Sequence, residues 1–170
     1  MLRRIAPVLM AAAAAFTAQP GAAATFVADS GCNDGICMTG AGMSFHARRL
    51  SERGGWVVDQ FWKPRVAFWH ASSGPDLWDI GLTPSFRLSS PGGFFLEAAL
   101  GAHLLSRTRI GGRELSTAFQ FGEQLGAGFA FGRRREHALA LRAEHVSNGG
   151  IRQPNDGITV VGLELQVAWP

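Results

Sequence analysis

Long hydrophobic runs are missing from almost the whole of this sequence. Beyond residue 24 no stretch is long and apolar enough to cross a bilayer as a helix, which takes about 20 residues. Lysine is nearly absent too: of 16 basic residues, 15 are arginine and one is Lys63. Arginine offers a planar fork that suits phosphate, but a GC-rich genome produces the same bias, and the composition leaves both readings open. Cysteine occurs only as Cys32 and Cys37, five residues apart in GCNDGIC. A zinc site would need two further ligands nearby, and the neighbouring residues supply none. In an exported chain a local structural disulfide is the alternative. His46, His70, His103 and His137 show no metal-ligand spacing, and neither a phosphate-cradling glycine loop nor a G-x-S-x-G elbow is present. No metal and no cofactor are expected.

What is present begins with an export signal over residues 1–24. Arg3 and Arg4 form its basic region, Ile5 to Phe16 its apolar run, and Ala22-Ala23-Ala24 a small-residue cleavage point. The remaining residues, 25–170, suit a single domain. Removing the leader lowers the formal charge from +3 to about +1, so the basic balance is weak ground for a nucleic-acid partner, and none is expected.

The mature chain alternates at period two, broken by Gly, Pro, Ser and Arg clusters. Between Leu77 and Leu88, Trp78, Ile80, Leu82, Pro84, Phe86 and Leu88 share one face, while Asp79, Gly81, Thr83, Ser85 and Arg87 share the other. Similar runs cover 94–104, 119–131, 137–147 and 158–169, with less regular ones at 42–50 and 58–71 and the weakest at 25–29. That is about eight strands. The expected fold is all-β, an eight-stranded antiparallel transmembrane β-barrel of the outer membrane, because even-numbered barrels begin at eight strands.

The faces separate this reading from a soluble sandwich or lipocalin-like barrel, which would bury its apolar side. Here one face is large and aliphatic or aromatic, and the other carries Gly, Ala, Ser, Gln and a few charges, as a narrow filled lumen requires. The five Trp and twelve Phe, Trp169 among them, suit interfacial girdles. Pro84 removes a ladder donor and is expected to mark a bulge. With both termini periplasmic, SSPGG (89–93) and GRRRE (132–136) are the short inner turns. The cysteine loop, 106–116 and 148–157 are then the longer outer loops.

The most informative segment is EHVSNGGIRQPNDG, residues 144–157. His145 and Ser147 lie two apart on an expected strand, so both side chains leave one face with Cα atoms about 6–7 Å apart. That is the base-and-nucleophile pairing that makes a serine reactive. The face is the one bearing Leu139 and Leu141, so the pair looks toward lipid, where polar groups are functional suspects. Headgroup-level polar residues at a strand end are the alternative.

The segment resembles the bacterial outer-membrane lipid A 3-O-deacylases, whose pattern is His-x-Ser-Asn followed by an Asn seven residues on in a Pro-Asn-x-Gly turn. Here those positions are His145, Ser147, Asn148, Asn155 and Gly157, with Pro154 in place. GMSFHARRL, the Phe95–Ala98 strand, SRTRIGGREL and FGEQLGAGFAFG extend the resemblance more loosely over most of the mature chain. The resemblance implies hydrolysis of the ester-linked acyl chain at the 3-position of lipid A in the outer leaflet. Ser147 would attack and His145 take its proton. Asn148 and backbone N–H groups around Gly149 and Gly150 would hold the oxyanion; Asn148 as a strand cap is the alternative.

The chain departs from the pattern at one position. The family's Glu, four residues after the second Asn, is Thr159 here, which can accept a hydrogen bond but cannot offset a charge. Glu144 and Glu164 have lumen parity, and Asp156 lies in the outer turn. Glu123 shares the apolar face with Phe121 and Leu125. If Phe131 pairs with His137 across GRRRE, Glu123 stands opposite His145 and would supply or support the third member; an interfacial glutamate at the strand's outer end is the alternative. Arg107, Arg109, Arg113 and Arg152 in the outer loops would grip phosphates of lipid A or of neighbouring lipopolysaccharide. The expected partners are thus lipid A and the outer membrane, with a homodimer left open. The competing reading is a non-catalytic barrel that binds lipopolysaccharide or has a structural role.

Overall fold

The computed structural model describes residues 24–168. The leader expected over 1–24, apart from Ala24, and the girdle residue Trp169 lie outside the described residues. Ten strands follow in order: β1 (Thr25–Asn33), β2 (Ile36–Arg53), β3 (Trp56–Ala71), β4 (Leu77–Ser89), β5 (Phe94–Leu105), β6 (Arg109–Ile110), β7 (Arg113–Glu114), β8 (Phe119–Phe131), β9 (His137–Ser147) and β10 (Ile158–Ala168). Eight of them close an antiparallel barrel in the order β1-β10-β9-β8-β5-β4-β3-β2, while β6 and β7 form a separate small hairpin.

The alternation read from the sequence is the wall of this barrel. Trp78, Ile80, Leu82, Phe86 and Leu88 of β4 are exposed, as are Leu139 and Leu141 of β9 and Leu163 and Leu165 of β10. Asp79, Thr83, Ser85 and Arg87 on the opposite parity are buried. A large apolar exterior around a polar interior is the inverse of a soluble barrel and matches lipid as the outer solvent.

Pro84 does not mark the expected bulge. Pro84 does not shift register: the β4–β5 ladder pairs Leu82 with Ala102 and Ser85 with Ala99, and simply omits the two pairs between. Pro64 does the same to the β2–β3 ladder between Gly42–Arg65 and Phe45–Trp62. A missing donor costs ladder bonds without requiring an extra residue. The register shifts lie instead in β2, between His46 and Arg48 and between Arg49 and Ser51. There β2 and β3 run on past the last β1 partner, Ser44.

The interior is layered. At the end holding the β1–β2 turn, Ile36, Met38, Trp69, Leu77, Leu105, Val146 and Ile158 form an apolar plug, completed by Ile110 and Leu115 from the hairpin segment. Below it lies a buried ionic layer. Arg65 reaches Glu144 at 2.6 and 2.8 Å and Asp29 at 2.7 Å, and Arg142 reaches Glu164 at 3.0 Å and also contacts Asp29. Lys63 pairs with Glu164 at 2.9 Å and with Glu97, and His103 Nδ1 lies 2.9 Å from Asp79. At the other end a cavity of about 710 Å³ opens beside Arg87, Arg133, Arg134 and Arg135.

Candidate active site

The β8–β9 register agrees with the sequence expectation: Phe131 pairs with His137, Glu123 with His145 and Phe121 with Ser147. On the other side Thr159 of β10 pairs with His145. His145 and Ser147 therefore stand on the outer face of β9 near the plugged end, each partly exposed, with Leu139 and Leu141 further along the same face.

The imidazole is held from two directions. Nδ1 of His145 lies 2.8 Å from Oγ1 of Thr159. Gly157 covers the ring: a Cβ built there would sit 2.7 Å from Cε1 and 3.1 Å from Nε2. Gly157 also has φ +59°, a conformation natural to glycine. Glu123, though directly opposite on β8, is exposed and forms no hydrogen bond or ion pair with His145 among the described residues. The ring nitrogen that an acid would engage is taken by the threonine.

Asn148 sits beneath the loop rather than facing outward. It is fully buried, and its amide nitrogen donates to the carbonyls of Leu115 at 2.9 Å and Arg152 at 2.8 Å. Its Oδ1 accepts from Gly150 N at 2.9 Å, and its own N–H donates to Oδ1 of Asn155 at 3.1 Å. Both asparagines therefore fold the loop, and the N–H of Gly150 is used within it. The N–H of Gly149 points instead to Ser147 Oγ, at 3.5 Å.

The loop arginines divide. Arg113 donates to Asp34 Oδ2 at 3.0 Å and to the carbonyl of Gly157 at 3.3 Å, so it is a structural tie. Arg109 is exposed and paired with Glu114, whose carboxyl it holds below the usual range. Arg107 and Arg152 are exposed, with no side-chain partner among the described residues. Cys32 and Cys37 are cross-strand partners joined by a disulfide across the Asp34-Gly35 turn. The β6–β7 hairpin bonds to residues of the 148–157 loop more than thirty positions away in the chain, which no local sequence pattern reveals.

A family model described as lipid A 3-O-deacylase (PagL) matches residues 39–168. The lipid A deacylase PagL of Bordetella bronchiseptica is 34% identical over 101 residues, 58% of this chain and 56% of that relative. The lipid A deacylase PagL of Pseudomonas aeruginosa is 31% identical over 111 residues, 63% of each chain. In both cases the match spans less than two thirds of the relative's length. A crystal structure described as the outer membrane enzyme PagL superposes with a TM-score of 0.76 at 25% identity, covering 85% of this chain and 99% of that one.

Proposed function

The chain belongs to the lipid A 3-O-deacylase (PagL) family, and from that premise we propose that it is an outer-membrane serine esterase removing the 3-O-linked acyl chain of lipid A. The observation that carries this reading is the His145–Ser147 step on the apolar outer face, where a polar pair is costly unless it works.

Two hydrogen bonds support the following chemistry. Nδ1 of His145 lies 2.8 Å from Thr159 Oγ1; in the tautomer in which Nδ1–H donates to that hydroxyl, Nε2 is the basic nitrogen. Ser147 Oγ attacks the ester carbonyl while Nε2 takes its proton. The tetrahedral intermediate collapses to a Ser147 acyl-enzyme as His145 returns the proton to the departing sugar oxygen. Water, deprotonated by His145, then releases the free acid and regenerates Ser147. The Gly149 N–H, close to Ser147 Oγ and committed to no other acceptor among the described residues, is the candidate oxyanion donor. Glu123 supplies a negative charge from across the ladder rather than a hydrogen bond. Arg107 and Arg152 are the loop cations free to meet phosphates.

Thr159 in the place of the family's acid favours one alternative, a barrel that binds lipopolysaccharide without cleaving it. Mass spectrometry of lipid A from cells expressing the chain separates the two. Loss of one hydroxyacyl chain with the intact protein, absent in Ser147→Ala and His145→Ala, supports the esterase. Unchanged lipid A in all three supports the binding barrel.

A further inference from the structure

We infer that Arg113 is a positioning residue for His145, and that it links the disulfide turn to the reacting histidine; the inference rests on the esterase reading above. Arg113 is the hub of three segments that are distant in sequence. One nitrogen of its guanidinium meets Asp34, in the turn bridged by Cys32–Cys37, at 3.0 Å. The other donates to the carbonyls of Gly157 and Asp156, at 3.3 and 3.5 Å. Gly157 is the residue whose backbone lies against the imidazole of His145. A shift of that backbone changes the space available to the ring and its alignment on Ser147.

The rest of the hairpin makes this contact part of a splint. Glu114 N donates to Asp156 Oδ2 at 2.7 Å, Asp156 N donates to the Glu114 carbonyl at 3.1 Å, and Ser116 Oγ donates to the Pro154 carbonyl at 2.7 Å. The splint itself is anchored by Ile110 and Leu115, both fully buried in the plug. The catalytic loop is thus held from below by Asn148 and from the side by the hairpin. Arg113 is the member of the splint that also reaches the disulfide turn, and its fork serves both contacts at once, which a single ammonium point charge does less well.

The test is steady-state kinetics of purified, refolded protein on lipid A in detergent. Arg113→Ala is expected to lower kcat about ten- to a hundredfold, the range for a small misplacement of a catalytic group, with KM little changed. Arg113→Lys should recover part of the loss. Asp34→Asn should lower kcat less, and the Asp34→Asn/Arg113→Ala double variant should be no slower than Arg113→Ala alone. An unchanged kcat overturns the inference. So does a raised KM with kcat intact, which would make Arg113 a substrate contact. If Arg113→Ala loses the heat-modifiable gel migration of a folded barrel, Asp34→Asn at its exposed turn carries the test: a lower kcat supports the link and an unchanged one overturns it. If the wild type cleaves nothing, the esterase reading fails instead. The imidazole ¹⁵N signals then decide the positioning: one tautomer in the wild type and averaging in Arg113→Ala support it, and identical spectra overturn it.

Discussion

Thr159 Oγ1 lies 2.8 Å from Nδ1 of His145, across the β9–β10 ladder that pairs the two residues. A hydroxyl can fix the tautomer and angle of an imidazole as a carboxylate does, but it brings no charge to meet the one that develops during proton transfer. In the proposed mechanism Thr159 therefore does the orienting half of an acid's work and leaves the electrostatic half to Glu123.

Thr159→Val removes the acceptor while keeping the shape. A neutral hydrogen bond contributes about 0.5–1.5 kcal/mol net, so kcat should fall roughly two- to tenfold. Thr159→Glu restores a charged acceptor and should raise kcat about tenfold, since bonds to charged groups are worth about 1.5–3 kcal/mol. Acyl-chain release from lipid A reads both. A Glu variant no faster than the wild type would show that charge at this position is not what limits the reaction.

Glu123 stands opposite His145 in the β8–β9 ladder, with no hydrogen bond or ion pair to it among the described residues. In the proposed mechanism its contribution is a field effect of about 1 kcal/mol. Glu123→Gln, which preserves size, should lower kcat on the order of fivefold. In Thr159→Glu the same change should matter less, because the ring already has a charged neighbour. Equal effects in both backgrounds would mean the two positions act independently.

The position of Glu123 was legible from one tight turn, because a register once set at Phe131–His137 propagates along an antiparallel ladder. The outward and inward faces were legible for the same reason, a strict period of two. The bulges of β2 were not, since the sequence there, His46 to Ser51, is polar and loses the alternation that would reveal an extra residue. Nor was the role of Arg113 legible. Its partner Asp34 lies 79 residues away, and a loop arginine reads equally well as a phosphate ligand or a tie. Asn148 was visible as a motif residue, but its complete burial follows from the hairpin folding over it.

The ionic layer makes the lumen sensitive to single deletions. Arg65 meets Glu144, Asp29 and Asp79 in the buried interior of the barrel. Arg65→Ala would leave those carboxylates short of a counter-charge, and breaking a buried pair costs about 3–5 kcal/mol. The variant should lose its heat-modifiable gel migration at a markedly lower temperature than the wild type. Leu163→Ala on the lipid face should shift that temperature far less. Similar shifts for the two would show that the layer contributes little beyond filling space.

Gly157 concentrates the demands on the 148–157 loop in one residue. Its φ of +59° disfavours a side chain on backbone grounds alone, and an alanine Cβ would press to 2.7 Å from Cε1 of His145. Either the loop or the ring must give. Because Gly157 immediately precedes β10 and lies outside the barrel ladders, the barrel should survive the change. Gly157→Ala is therefore expected to keep the wild-type unfolding temperature within a few degrees while losing at least about a hundredfold in kcat, the scale of a displaced catalytic group. Unchanged kcat would mean that the ring can move aside without leaving Ser147, and that the contact with Gly157 is packing alone.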